Sequence, residues 1–346
     1  MDWTTLSERR PNWTAKVNVS AMIKGSYLST SIPRSAAIAV SVMLSMFILA
    51  GTFGNALVCN RLRTRRDLRK VPHYLLASLS LTGLLTSLFG MPSLLIATIV
   101  NYRQAGPLPV TEILCKVGFP LSIGCIALNA LTLALMTIDR HDCVVRPFRR
   151  RLSTQNVKRI LLVTWLLAFI ISAVLLVLLR KERSVCYTWF PYNQPKSLRT
   201  KQGYVILNYL TTIAQLDTLA ILLIIISFFR VVKRLRAPTI LQSTNSSFHQ
   251  RHEKQLSWLT YKICGTYTLF RFPLLICSIV GRNEEFQGTA LNTATLLTGI
   301  MMYCPFVLNP ILHFKMLRVR QPNRIVHVAP QAAKEQLRVE NTHRTN

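Results

Sequence analysis

Four ionisable residues stand where an apolar chain rarely carries charge. Asp139 and Arg140 close an apolar run of helical length, Val117 to Ile138, and His141 follows them. Asp217 and Arg271 lie deep inside two other such runs. Neighbours on a helix meet only side-on, so Asp139 has a local use. It neutralises Arg140 and holds the guanidinium fork for a partner elsewhere. A plainer reading makes both residues the polar end of a membrane span, where charge is cheap. Mid-span the same charge costs roughly 3 kcal/mol or more, so Arg271 should face other helices and have a partner. Asp217 is its obvious one, and the two are expected to form a buried ion pair. No Cys-x-x-Cys, His cluster, nucleophile–base pair or Gly-rich loop is present, so the residues suggest neither a metal, nor a cofactor, nor an enzyme.

The elements that must hold these residues are membrane helices. Apolar runs of about 20 residues or more recur, too long for a soluble domain of this size. Seven are expected: Ala36–Asn60, His73–Val100, Leu114–Ile138, Val157–Leu179, Tyr204–Phe229, Leu256–Val280 and Ala290–Phe314. Short connections make them one bundle. The fold class is therefore an all-α membrane protein. Residues 1–34 form a polar tail, 35–320 the seven-span domain and 321–346 a second tail. Residues Phe314 to Arg320 alternate basic and apolar, as a short interfacial helix does. Residues 1–34 hold no apolar stretch before a cleavage-like site, so the first span is expected to act as its own signal.

A net charge of +29 could suggest nucleic acid, but its distribution argues against that. Basic residues cluster after the first run, between the third and fourth, between the fifth and sixth, and after the seventh. Arg61, Arg149, Lys233 and Arg318 are examples. The positive-inside rule makes that side cytoplasmic and the N-terminus extracellular, and a plasma-membrane location fits. The basic rim suits an anionic inner leaflet. The second outer loop is basic too (Arg183, Lys196), so the rule holds on balance rather than loop by loop. Asn12-Trp13-Thr14 and Asn18-Val19-Ser20 are glycosylation acceptors on an outside tail. Six of the eight cysteines fall inside runs or on the cytoplasmic side; Cys115 and Cys186 are the two on the outer side.

Several motifs fall in one order: Gly54-Asn55, Cys115 placed 25 residues before Arg140, Asp139-Arg140-His141, Trp165, Pro273 and Asn309-Pro310. Over about Ala36 to Arg320 the chain resembles the rhodopsin-like (class A) G-protein-coupled receptors, with Asp139-Arg140-His141 where that family has Asp-Arg-Tyr. The resemblance implies a Cys115–Cys186 disulfide. It implies a switch of Asp139, Arg140, His141, Asn309, Pro310 and His313, with Glu253 facing Arg140 across the cytoplasmic end. Glu253 can equally be a solvated rim charge.

The chain also departs from the family. Gly83 replaces the sodium-binding Asp, so Asn55, Asn129 and Asn309 are expected to form a neutral hydrogen-bonded cluster instead. Ala220 stands for a Pro, and Phe228 and His313 each stand for a Tyr. Arg271 replaces the Trp at the cavity floor, at a depth similar to Asp217 on the adjacent helix. Ser122 stands where amine receptors carry Asp, and Tyr303 where retinal-binding members carry Lys. Ser122, Asp217, Arg271 and Tyr303 are thus the cavity residues. Trp165 is taken as packing.

The function implied is a receptor in which an extracellular ligand shifts the population towards a state with the sixth helix swung out. That state releases Arg140 to a heterotrimeric G protein. A peptide is favoured by the basic outer loop and family base rates; Arg271 hints at a small anion unless Asp217 neutralises it. A non-signalling or scavenger receptor is the alternative, given Gly83, Arg271 and His313. A transporter is weaker, because no internal repeat is visible and two deep charges are too few for a relay.

Overall fold

The computed structural model describes residues 34–64, 71–103, 109–145, 152–180, 201–236, 244–280 and 289–318, and all seven segments are helical. They form a seven-helix bundle. The first helix is Arg34–Thr64, the third Pro109–Val145, the fourth Thr154–Leu179, the fifth Lys201–Arg236 and the sixth Thr244–Val280. The second runs through Val71–Leu85, a π-helical turn at Thr86–Gly90 and Met91–Arg103. The seventh is split into Thr289–Met301 and Cys304–Arg318. That last short helix takes in Phe314 to Arg318, most of the stretch expected to be interfacial.

Six of these segments are long and apolar enough to cross a bilayer by length and composition alone. The sixth helix, with Lys262 and Arg271 on it, earns its place by packing on the third, fifth and seventh. Large apolar side chains such as Phe53, Leu162, Phe169, Leu219 and Phe272 face outward. A bilayer solvates such a belt and water does not. This is a multi-pass membrane protein.

The third helix is the axis. In its apolar window 72 % of residues are buried, against 22 % for the first and fourth helices. It packs on the second, fourth, fifth and sixth. Two apolar clusters stack along it. One, around Leu44, Met91, Phe119 and Phe306, sits towards the start of the first helix. The other, around Val58, Leu76, Leu133 and Ile263, sits towards its end.

Prolines shape two spans. Pro92 lacks an N–H, and the π-helical turn at Thr86–Gly90 lies immediately before Met91-Pro92. A wider turn thus precedes the proline. In the seventh span Pro305 interrupts the ladder, and shorter bonds replace it: Tyr303 N–H to Ile300 O at 2.9 Å and Phe306 N–H to Tyr303 O at 3.0 Å. This break was not foreseen. It aims Met302 and Tyr303 into the bundle, where both are buried.

Small residues set the close approaches. Gly51 lies on Ser87, Gly54 on Pro310 and Gly118 on Ser93 and the Phe89 carbonyl.

Candidate functional site

Three buried polar assemblies lie along the bundle. The first joins the fifth, sixth and seventh helices. Arg271 donates through Nε to Asp217 Oδ2, Tyr267 donates its hydroxyl to Asp217 Oδ1, and Arg271 Nη1 meets Met302 Sδ. Asp217 is 2 % exposed and Arg271 9 %, so this ion pair is shielded from lipid and water alike. Burying two ions is expensive, and the pair is tolerable because the carboxylate gains a second donor. Tyr267 and Met302 are partners that sequence reasoning missed. The signal was available for Tyr267, which lies four residues before Arg271 and so on the same helix face.

Beside this assembly, Ser122 Oγ and Tyr303 OH are hydrogen-bonded at 2.9 Å between the third and seventh helices. Both residues are fully buried. The four expected cavity residues therefore split into two neutral sets, an ion pair and a hydroxyl pair.

The second assembly follows from Pro310. With no N–H, Pro310 cannot bond the Phe306 carbonyl four residues back. Asn55 Nδ2 takes that carbonyl at 2.9 Å, and also bonds Gly51 O in its own helix at 2.8 Å. The amide lies against Gly83, where a Cβ would stand 2.7 Å from it. The space an acid would need at position 83 is thus filled by Asn55.

The expected hydrogen-bonded cluster of Asn55, Asn129 and Asn309 does not form. Both polar atoms of Asn129 are without a hydrogen-bond partner, as are Asn55 Oδ1 and Asn309 Oδ1. No hydrogen bond joins the three amides to one another; Asn55 spends its donor on Gly51 O and Phe306 O. His313 is fully buried, with Nδ1 and Ser80 Oγ 3.0 Å apart, which ties the seventh helix to the second.

The third assembly lies at the Asp139 end. Arg140 donates through Nε to Asp139 Oδ2 at 3.0 Å and through Nη2 to the same oxygen, and its Nη2 lies 3.6 Å from Cys143 Sγ. Arg140 is 2 % exposed, so these residues are not a solvated rim. His141 Nδ1 is 3.4 Å from Asp142 Oδ1. Nearby, Ser227 Oγ of the fifth helix donates to Thr137 O of the third at 3.1 Å, and Tyr261 OH of the sixth lies 3.1 Å from the same Oγ.

Trp165 does more than pack. Its indole N–H donates to Ser78 Oγ at 3.2 Å, and Ser78 Oγ lies 3.4 Å from Thr132 Oγ1, joining the fourth, second and third helices.

Of the remaining expected residues, Cys115 is fully buried and disulfide-bonded. Cys186, Asn12 and Asn18 lie outside the described residues, as does the side chain of Glu253, whose backbone belongs to the sixth helix.

The architecture is a seven-helix membrane bundle with a buried Asp–Arg pair in the last turns of its central helix. The chain belongs to the 7 transmembrane receptor (rhodopsin family), whose model matches residues 54–313. Its members are signalling receptors and not enzymes. The chain is 27 % identical to 5-hydroxytryptamine receptor 1A-beta of Takifugu rubripes over 149 residues, 42 % of this chain and 35 % of that one. It is 26 % identical to neuropeptide FF receptor 2 of Mus musculus over 181 residues, 52 % and 41 % of the two chains. It is 24 % identical to neuropeptide Y receptor type 2 of Cavia porcellus over 228 residues, 62 % and 56 %. The matches thus span about a third to a little over half of these curated relatives' length.

Proposed function

We propose that the chain is a plasma-membrane receptor that senses an extracellular peptide and activates a heterotrimeric G protein by movement of the sixth helix. The N-terminus is outside and the basic rim lies on the anionic inner leaflet. The observation that carries this reading is the buried Asp139–Arg140 pair. A local acid holds the guanidinium fork at the end of the central helix, beside the helices that must part to admit a partner.

A peptide is favoured over a small anion because Arg271 is already neutralised by Asp217. Two of the relatives named above are neuropeptide receptors, which agrees. An amine ligand would lack its carboxylate partner, since Ser122 is bonded to Tyr303. A Cys115–Cys186 disulfide belongs to this reading, supported by Cys115 being disulfide-bonded and by the six other cysteines being in no disulfide.

The alternative is a receptor that binds without signalling, and it draws on His313, which is held by Ser80 where the family has a Tyr. Both readings are tested in cells by agonist-independent G-protein activation, with Arg140→Ala as control. A peptide library read out by arrestin recruitment accompanies it. Basal activation abolished by Arg140→Ala supports coupling, and Glu253→Ala should then raise it. A peptide that recruits arrestin or is internalised without any G-protein response overturns coupling in favour of the non-signalling reading.

A further inference from the structure

We infer that Tyr261 and Ser227 form a hydroxyl latch, close in the chain to Arg140 through Thr137, that holds the sixth helix against the fifth and third. The inference rests on the proposed role of Arg140 in coupling, but the latch itself is testable without a G protein.

The proton inventory fixes the direction of the chain. Ser227 has one hydroxyl proton, and it is given to the Thr137 carbonyl at 3.1 Å. Tyr261 must therefore donate to Ser227 Oγ, across 3.1 Å. The sequence of donors runs from the sixth helix to the fifth and ends on the backbone of the third. Each bond polarises the next, so the two are stronger together than apart.

Thr137 is three residues before Arg140 and lies on the same side of the helix. Ser227 and Tyr261 are both buried, at 8 % and 7 % exposure, so neither hydroxyl has ready access to water as a substitute partner. The ring of Tyr261 also packs edge-on against Phe228 at 5.1 Å, and Phe228 against Trp258 at 6.4 Å. This aromatic seam keeps the hydroxyl in place. Swinging the end of the sixth helix away from the third must pull Tyr261 from Ser227, or Ser227 from Thr137.

Tyr261→Phe removes the hydroxyl and leaves the ring on Phe228. Spin labels at the exposed positions Lys158 and Lys254 report the separation of the fourth and sixth helices in the purified full chain. The expected result is a population of longer distances increased about 3- to 10-fold, the size of one lost buried hydrogen bond. Ser227→Ala should give a similar increase, and the double variant no more than about the larger single effect, because either change breaks the same chain. In cells the same variants should raise agonist-independent G-protein activation by a similar factor.

Unchanged distance distributions in Tyr261→Phe, or effects of the two variants that multiply, overturn the latch. Longer distances with no G-protein response from any variant leave the latch standing and overturn the coupling reading. Ser227→Thr keeps the donor. If it opens the helices as Ser227→Ala does, packing and not the hydroxyl is responsible, and the latch is overturned.

Discussion

At the scale of residues, the bundle is governed by which polar groups find partners away from water. Asp217 and Arg271 are each unfavourable alone and each is the other's partner, with Tyr267 completing the carboxylate. The net contribution of the pair to stability is small, since its attraction offsets two desolvation costs. Breaking it is a different matter, because one orphaned charge costs about 3–5 kcal/mol. Asp217→Asn and Arg271→Gln should therefore each lower surface expression and the unfolding temperature in detergent. The swap Asp217→Arg with Arg271→Asp should recover part of both. A swap no better than the single variants would show that Tyr267 and Met302, not the charge pair, set the geometry there.

At the scale of elements, the helices meet where side chains are missing. A Cβ on Gly118 would stand 2.5 Å from Ser93 Cβ and 2.8 Å from the Phe89 carbonyl, and a backbone atom cannot swing aside. Gly118→Val should part the second and third helices and lower stability by about 1–3 kcal/mol, read as a reduced unfolding temperature. Gly265→Ala is the control: nothing lies within 4 Å of its added carbon, and alanine is the better helix former by about 1 kcal/mol, so stability should hold or rise. The prolines act in the opposite sense, by freeing carbonyls. Asn55 reaches the seventh helix only because Pro310 leaves Phe306 O unclaimed. Tyr303 reaches Ser122 from a turn that Pro305 opens.

At the scale of the whole molecule, the third helix is the most buried of the candidate spans, and every buried polar assembly described above touches it or a helix packed on it. Near its start it is fixed covalently at Cys115. Cys115→Ser and Cys186→Ser should each abolish peptide response or surface delivery, and the double variant should be no worse than either. If both single variants respond normally, the two cysteines do not close the loop. Orientation is checked separately. Glycosidase treatment of intact cells should sharpen and shift the receptor band, and replacing Asn12 and Asn18 together should remove that shift. A band that never shifts would place the tail on the other side or leave it unmodified.

Solvent and architecture were legible in the order of residues alone. Long apolar runs have one stable environment, and their number and spacing, with ordered motifs such as Asp139-Arg140-His141 and Asn309-Pro310, led to the family. The order of residues also determined the ion pair, because two deep charges in a low-dielectric bundle have few ways to be satisfied. Tertiary structure alone decided the rest. That Asn129 stays unbonded, that Asn55 fills the space over Gly83, and that Ser227 and Tyr261 meet depend on the rotation and depth of helices far apart in the chain. Serines, threonines and tyrosines are common in apolar helices, and composition does not tell which hydroxyl faces which helix. Their partners are fixed by where proline and glycine place the backbones, to within the reach of a single hydrogen bond.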